Sequence, residues 1–177
     1  MRTRFPLAAL ALAALAAPPA AAQQYMSKTT FAGILEHQKS FLLQYVDAAP
    51  DSMLGWRPVP GVRSFAEQIE HAAFSDAFVG HMLIVGNRDM PSFGDSTVYR
   101  RSKAALREAV TRAMDHTIEM INSVTDAQMM EEVSLFGRRM PRHRALLLLL
   151  DHFPWTLGQT VPYLRMHGVT PPAYVVF

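Results

Sequence analysis

There is no cysteine in this chain. Its absence excludes disulfides, thiolate metal sites, covalent c-type haem attachment and a cysteine nucleophile in one step. Net charge is nearly missing too. The 17 basic and 15 acidic side chains leave a formal charge of +2, and Arg2 and Arg4 supply that excess. From residue 23 onward fifteen basic side chains balance fifteen acidic ones, interspersed along the chain. That balance argues against nucleic acid or an anionic membrane surface as a main partner. Strand signals are almost absent, and no internal repeat or low-complexity tract follows Gln24.

What is present begins with MRTRFPLAALALAALAAPPAAAQQ. A basic start, an apolar middle from Leu7 to Ala17 and the small residues Ala20, Ala21 and Ala22 make the layout of a secretory signal peptide. The apolar run is too short for a membrane anchor. The expected division is a signal peptide over 1–22 and a single domain over 23–177, exported to the periplasm or secreted, with no membrane attachment in the mature form. The roughly 155 residues that remain can build a core without staples.

Apolar residues at helical spacing, with caps and breakers between them, predict four long helices. The first runs from about Thr29 to Asp47, between cap candidates Ser27 to Thr30 and the stop at Pro50. After a loop containing Trp56, Pro58 and Pro60, Ser64 and Glu67 form a capping box for a second helix that ends at Gly86. Its inward stripe is Phe65, Ile69, Ala72, Val79 and Leu83, with His71 beside it. A third helix spans about Ser102 to Val124, and EEVSLFGRRMPRHR reads as a brief hairpin-like connection. The fourth begins near Pro141 with an unbroken apolar run, then sets His152, Thr156 and Gln159 on one face. Pro154 and Pro162 predict a kink near His152. The expected fold is all-α, an up-down-down-up four-helix bundle.

Seven histidines on mainly helical segments suggest an imidazole metal site, because bundle cores assemble such sites from facing helices. Spacing prunes the set. His71 and His81 stand ten residues apart, roughly 15 Å along one helix, too far to share an ion. His143 and His152 point to opposite faces, and His167 lies near a helix end. His71, His152 and the shoulder residue His116 remain as candidates for zinc, nickel, iron or manganese. Against this stands the more ordinary role of a lone helix histidine, a satisfied and partly buried side chain.

Two segments, LGWRPVPGVRSFAEQIEHAAF and DHFPWTLGQTVPYLRMHGVTPP, carry a resemblance to the DinB-like family of four-helix bundles, which includes metal-dependent thiol transferases and isomerases. It covers most of the chain from about Thr30 to Pro172. The family pattern of a tryptophan-proline loop, a serine and a later histidine is matched by Trp56, Pro58, Ser64 and His71. In the last helix His152, Gly158, Gln159, Tyr163, Leu164, Arg165, Gly168, Pro171 and Pro172 match in turn. The resemblance implies a metal held by three histidines, and the third position is Thr156. A neutral hydroxyl is a poor ligand, and losing one imidazole of three weakens such a site by several kcal/mol on the scale of structural zinc. Gln159 and His116 are the residues that could substitute.

Two functions remain open at this level. One is a divalent-metal-dependent transferase or hydrolase acting on a small substrate through His71 and His152. The other is a bundle with a degenerate metal site, serving as a ligand pocket or interaction domain. Thr156, Trp155 and an aromatic lining from Phe153 and Phe74 favour the second, as does export away from the cytoplasmic thiols such transferases use. Whether any metal or other cofactor is bound is open, and so is the oligomeric state, a homodimer included. Eleven methionines admit a haem bundle, but methionine is more often core filler.

Overall fold

The computed structural model describes residues 26–174, so the signal-peptide expectation for 1–22 lies outside the described residues. Among the described residues seven α-helices and one hairpin follow in order, with a short 3-10 helix at Asp51–Met53 after the first: α1 Lys28–Ala48, α2 Phe65–Ile84, α3 Ser96–Tyr99, α4 Lys103–Ser123, α5 Asp126–Met130, β1 Glu132–Leu135, β2 Arg138–Pro141, α6 Arg142–Gly158 and α7 Val161–Met166. Local chemistry explains most of the starts. The hydroxyls of Ser27, Ser64, Ser102 and Thr125 each accept a backbone N–H of the helix that follows, and Glu67 and Gln128 complete capping boxes.

The four long helices α1, α2, α4 and α6 form the bundle, and side-chain contacts fix their directions. Lys28 at the start of α1 bonds carbonyls at the end of α4, while Asp47 at the end of α1 pairs with Arg107 near the start of α4. These two helices are antiparallel. Glu70 meets Arg100 just before α4, and His81 meets His116 well along it, so α2 and α4 run parallel. Gln68 bonds the carbonyl of Thr156, and Arg142 bonds that of Leu83, so α6 returns antiparallel to α2. The order is up-down-down-up, as expected. Two buried clusters fill the interior, one around Phe65, Leu106, Met114 and Phe153, the other around Phe31, Leu35, Ile121 and Leu146.

Three details differ from the sequence reading. The segment between α2 and α4 contains the short helix α3, begun by Asp95, whose carboxylate accepts from the Thr97 N–H. The last helix continues through Pro154, and its interruption falls at Gln159 and Thr160, with Pro162 in the first turn of α7, where its missing N–H costs little. The aromatic lining expected from Phe153 is also displaced, because that ring is buried in the core.

The hairpin holds the one non-glycine residue with positive φ among the described residues. Leu135 pairs with Arg138, leaving Phe136 (φ 49°) and Gly137 (φ 78°) as a two-residue turn with both residues left-handed. Asn-Gly is the preferred sequence for such a turn, and a bulky aromatic at the first position is strained. Phe136 is nonetheless 78% exposed and adds nothing to the core. Phe136→Asn should therefore raise stability by about 1 kcal/mol, seen as a Tm increase of ~2–4 °C in a thermal melt. A fall in Tm would mean that the ring contributes packing its exposure does not reveal.

Candidate functional site

One face of α2 is left uncovered by α1 and α4, and along it runs a cavity of about 940 Å³. Glu67, Glu70, His71, Phe74, Ser75, Phe78, Val79 and Met82 line it at helical spacing. Opposite stand Leu148, Leu149 and His152 of α6, and the hairpin contributes Ser134, Phe136 and Gly137. Arg63, Arg88 and Arg100 also border it. Because α2 and α6 are antiparallel neighbours, His71 and His152 face one another across this space. Their rings meet edge to face, centroids 5.1 Å apart. The structure thus brings together the two histidines that the sequence singled out.

What surrounds them was less legible. His152 Nδ1 lies 2.7 Å from Asp76 Oδ1, and its Nε2 lies 3.1 Å from the hydroxyl of Thr156. With Asp76 ionised, Nδ1–H donates to the carboxylate and Nε2 accepts from the threonine O–H. His71 Nδ1 is 2.8 Å from Ser75 Oγ. Each imidazole is held by a neighbour at Nδ1. Burial, then the charge of Arg63, then His152 hold His71 below the usual histidine range, with Glu70 opposing.

Asp76 is the unusual member. It is 2% exposed, and its Oδ2 has no hydrogen-bond partner. Burial pushes its carboxyl up to about 6, against the pull of His152. The sequence carried a signal for it: position 76 falls four residues after Ala72 and three before Val79, so a carboxylate interrupts the inward stripe of α2. At the other end of the cavity wall the acids are paired. Arg57, then the Ser64 N–H, then Arg100 draw Glu67 down to about 2 despite partial burial, and Arg100 grips Glu70 through two hydrogen bonds of 2.6 and 2.9 Å.

The two substitutes expected for the third metal ligand are engaged elsewhere. His116 Nε2 sits 3.2 Å from His81 Nδ1, and His81 Nε2 bonds Asn87, which makes a separate imidazole pair on α2 and α4. Gln159 accepts from Gln68 through Oε1 and donates to the carbonyl of Trp155 through Nε2, tying the end of α6 to the start of α2. Trp155 is 74% exposed and does not line the cavity. Among the described residues no three His, Asp or Glu side chains converge on a point that could hold an ion. Asp76 supports His152 at Nδ1, and Thr156 occupies the Nε2 side. The donor set therefore does not fit a divalent ion held by protein ligands alone.

The sequence pattern of the DinB superfamily matches residues 34–153, a stretch that includes both His71 and His152. The chain belongs to the DinB superfamily. A crystal structure of a DinB-like protein from Bacillus cereus is similar at 20% identity, with a TM-score of 0.70, covering 86% of this chain and 100% of that one. A DinB-like protein from Bacillus subtilis is similar at 17% identity and a TM-score of 0.63, covering 80% and 96%. At these identities the likeness is one of fold. No curated protein matches the sequence. The superfamily is generally metal-associated.

The buried carboxylate has a measurable signature. Asp76 binds its proton more tightly folded than unfolded, so the stability it contributes is fully present below about pH 4 and is lost as pH rises through about 6. The shift corresponds to on the order of 2 to 3 kcal/mol at pH 7. Asp76→Asn keeps an oxygen to accept from His152 Nδ1–H and removes the charge. It should be more stable than the wild type at pH 7 by up to that amount, and equal to it near pH 4, in urea melts across the range. A variant less stable than the wild type at pH 7 would show that attraction to His152 outweighs desolvation.

Proposed function

We propose that this DinB-superfamily domain is exported and has exchanged its metal centre for a metal-free pocket that binds a small organic molecule. The observation that carries this reading is the hydrogen bond from Thr156 to His152 Nε2. The atom an ion would require is already engaged by a buried hydroxyl, at the position where the superfamily resemblance calls for a third histidine. The cavity itself does not depend on an ion, since its walls are helix faces and a hairpin. Its volume lies within the range of small-molecule sites, and its lining mixes apolar side chains with a few polar groups. Export rests on the basic start, apolar run and alanine-rich end of residues 1–22. A near-neutral mature chain fits a small ligand better than a polyanion.

A second reading, a divalent-metal-dependent transferase or hydrolase working through His71 and His152, draws on one observation. A carboxylate at Nδ1, as Asp76 provides for His152, is the usual way a metal-ligating histidine is oriented. This arrangement survives here beside a missing ligand.

Metal content separates the two. Mature protein exposed to zinc, nickel, iron and manganese and then desalted should carry far less than one ion per chain by elemental analysis, with no thermal shift from any of them. Thr156→His should bind one ion. Position 156 is 1% exposed, so the larger ring should first cost about 1–3 kcal/mol, and zinc should restore that stability by mass action. A wild-type chain holding one tightly bound ion would overturn the metal-free reading. Secretion from a heterologous bacterial host should also yield a chain beginning at about Gln23 by mass spectrometry, whereas an intact residue 1 in the released protein would refute export by cleavage.

A further inference from the structure

We infer that the cavity along α2 takes an elongated amphipathic carboxylate, its head at the His71 end and its apolar tail running toward Met82. The inference rests on the pocket reading above and assigns that pocket a ligand class. It begins with the way polarity is distributed along one helix face. Glu67, Glu70 and His71 line the first part of α2, whereas Phe78, Val79 and Met82 line the last. His71 and Met82 are eleven residues apart, which is about 16 Å along the axis. The wall across from them repeats the gradient, with His152 opposite the polar part and Leu148 and Leu149 further along. A compact polar molecule would leave the apolar part wet. A purely apolar one would bury the polar part without partners.

Charge decides the sign of the head. Glu67 and Glu70 are each neutralised, the first by Arg57 and the second by the fork of Arg100, and the third acid of the wall, Asp76, is 2% exposed and turned to His152 at 2.7 Å. Arg63 makes no side-chain hydrogen bond or ion pair among the described residues, yet it lines the cavity close enough to bear on His71. One uncompensated guanidinium is therefore left at the polar end. With the Ser75 hydroxyl donating to its Nδ1, His71 would keep Nε2–H as a further donor. A carboxylate matches both, since a guanidinium pairs with it through two hydrogen bonds. Arg88 lies at the opposite end, just past α2, and lines the cavity as well. It has no histidine beside it on this wall, so the head belongs with Arg63, and the stem of Arg88 covers the end of the tail.

Phe136 supplies an independent observation. It is a large apolar side chain held in solvent by a left-handed backbone that disfavours it, at the tip of the hairpin and on the border of this cavity. Its ring is 78% exposed, so packing among the described residues repays little of that strain. A bound tail passing beneath the ring would bury it.

The test is calorimetric titration of the mature protein with three ligands that share a twelve-carbon tail, each below its micellar concentration: dodecanoate, dodecanol and dodecyltrimethylammonium. Dodecanoate should bind one to one, more tightly than the alcohol, and the cation should not bind. Arg63→Gln should weaken dodecanoate by about tenfold or more, the usual worth of a hydrogen bond to a charged group, and leave dodecanol unchanged. Phe136→Asn should weaken both without lowering Tm, which separates a ligand contact from a folding defect. Met82→Glu should abolish both. Equal affinity for the three ligands, or a loss with Arg88→Gln in place of Arg63→Gln, would overturn the placement of a carboxylate head at His71. In that event dodecanol binding blocked by Met82→Glu would still support the pocket. No saturable binding of any of the three would sink both proposals.

Discussion

The contact between Asp76 and His152 is the constraint from which the rest of the site follows. A carboxylate on the inward side of α2 is tolerable in a bundle only if something compensates it, because burying an unpaired charge costs several kcal/mol. Here one oxygen is met by an imidazole on the facing helix, 2.7 Å away, and the other is met by nothing. An arrangement of this kind is poor evidence of stability, since well-packed apolar residues of the same volume often do better. It does fix geometry. The bond orients the His152 ring, sets which nitrogen carries the proton, and locks the relative height of α2 and α6 at the level of the cavity.

That register has consequences on both sides. Toward one end of α6, Gln68 bonds Thr156 and Gln159; toward the other, Arg142 bonds the carbonyl of Leu83. The polar ties thus repeat along the antiparallel pair, with the apolar cavity wall between Asp76 and Arg142. The face of α2 that looks away from α4 is left for the hairpin to border, and the hairpin reaches it with a two-residue turn whose first residue is strained. Cavity, imidazole pair and exposed aromatic are consequences of one helix packing, and substitutions among them will not be independent.

Much of the fold was legible because it is written in local chemistry. Helix starts at Ser27, Ser64 and Ser102 are capping events within three residues, and helix ends at Pro50 and Gly86 are backbone preferences. The site was legible only in part. His71 and His152 were singled out by helix spacing and by the family resemblance, and the antiparallel packing of α2 and α6 brings their rings together. The positions of His116 and Gln159 depended on quantities that no local pattern encodes. His116 lies beside His81 because α2 and α4 are parallel, a consequence of the long segment containing α3. Gln159 turns toward Gln68 because α6 ends there, where the prolines suggested a kink about two turns earlier. Asp76 is the instructive omission: its position within the apolar stripe was visible, but a single charged residue among alanines reads as an interruption until the facing helix supplies its partner.

Thr156 also reads differently once the geometry is known. As a departure from a three-histidine pattern it registers only as a loss. In the folded chain its hydroxyl occupies the Nε2 side of His152, while Asp76 holds the Nδ1 side, so the ring is restrained at both nitrogens. Restraint of that kind is what an ion would otherwise provide, and it lets the imidazole remain in place without one. Helix α6 continues through Pro154, and Trp155 stays outside the site. His71, restrained at one nitrogen by Ser75, is then the imidazole with an uncommitted edge, and it stands at the end of the cavity where Arg63 carries an unbalanced charge. A threonine at position 156 and a polar cavity end are therefore compatible. The proposed pocket would select its ligand by charge and shape, both supplied by the surrounding helices.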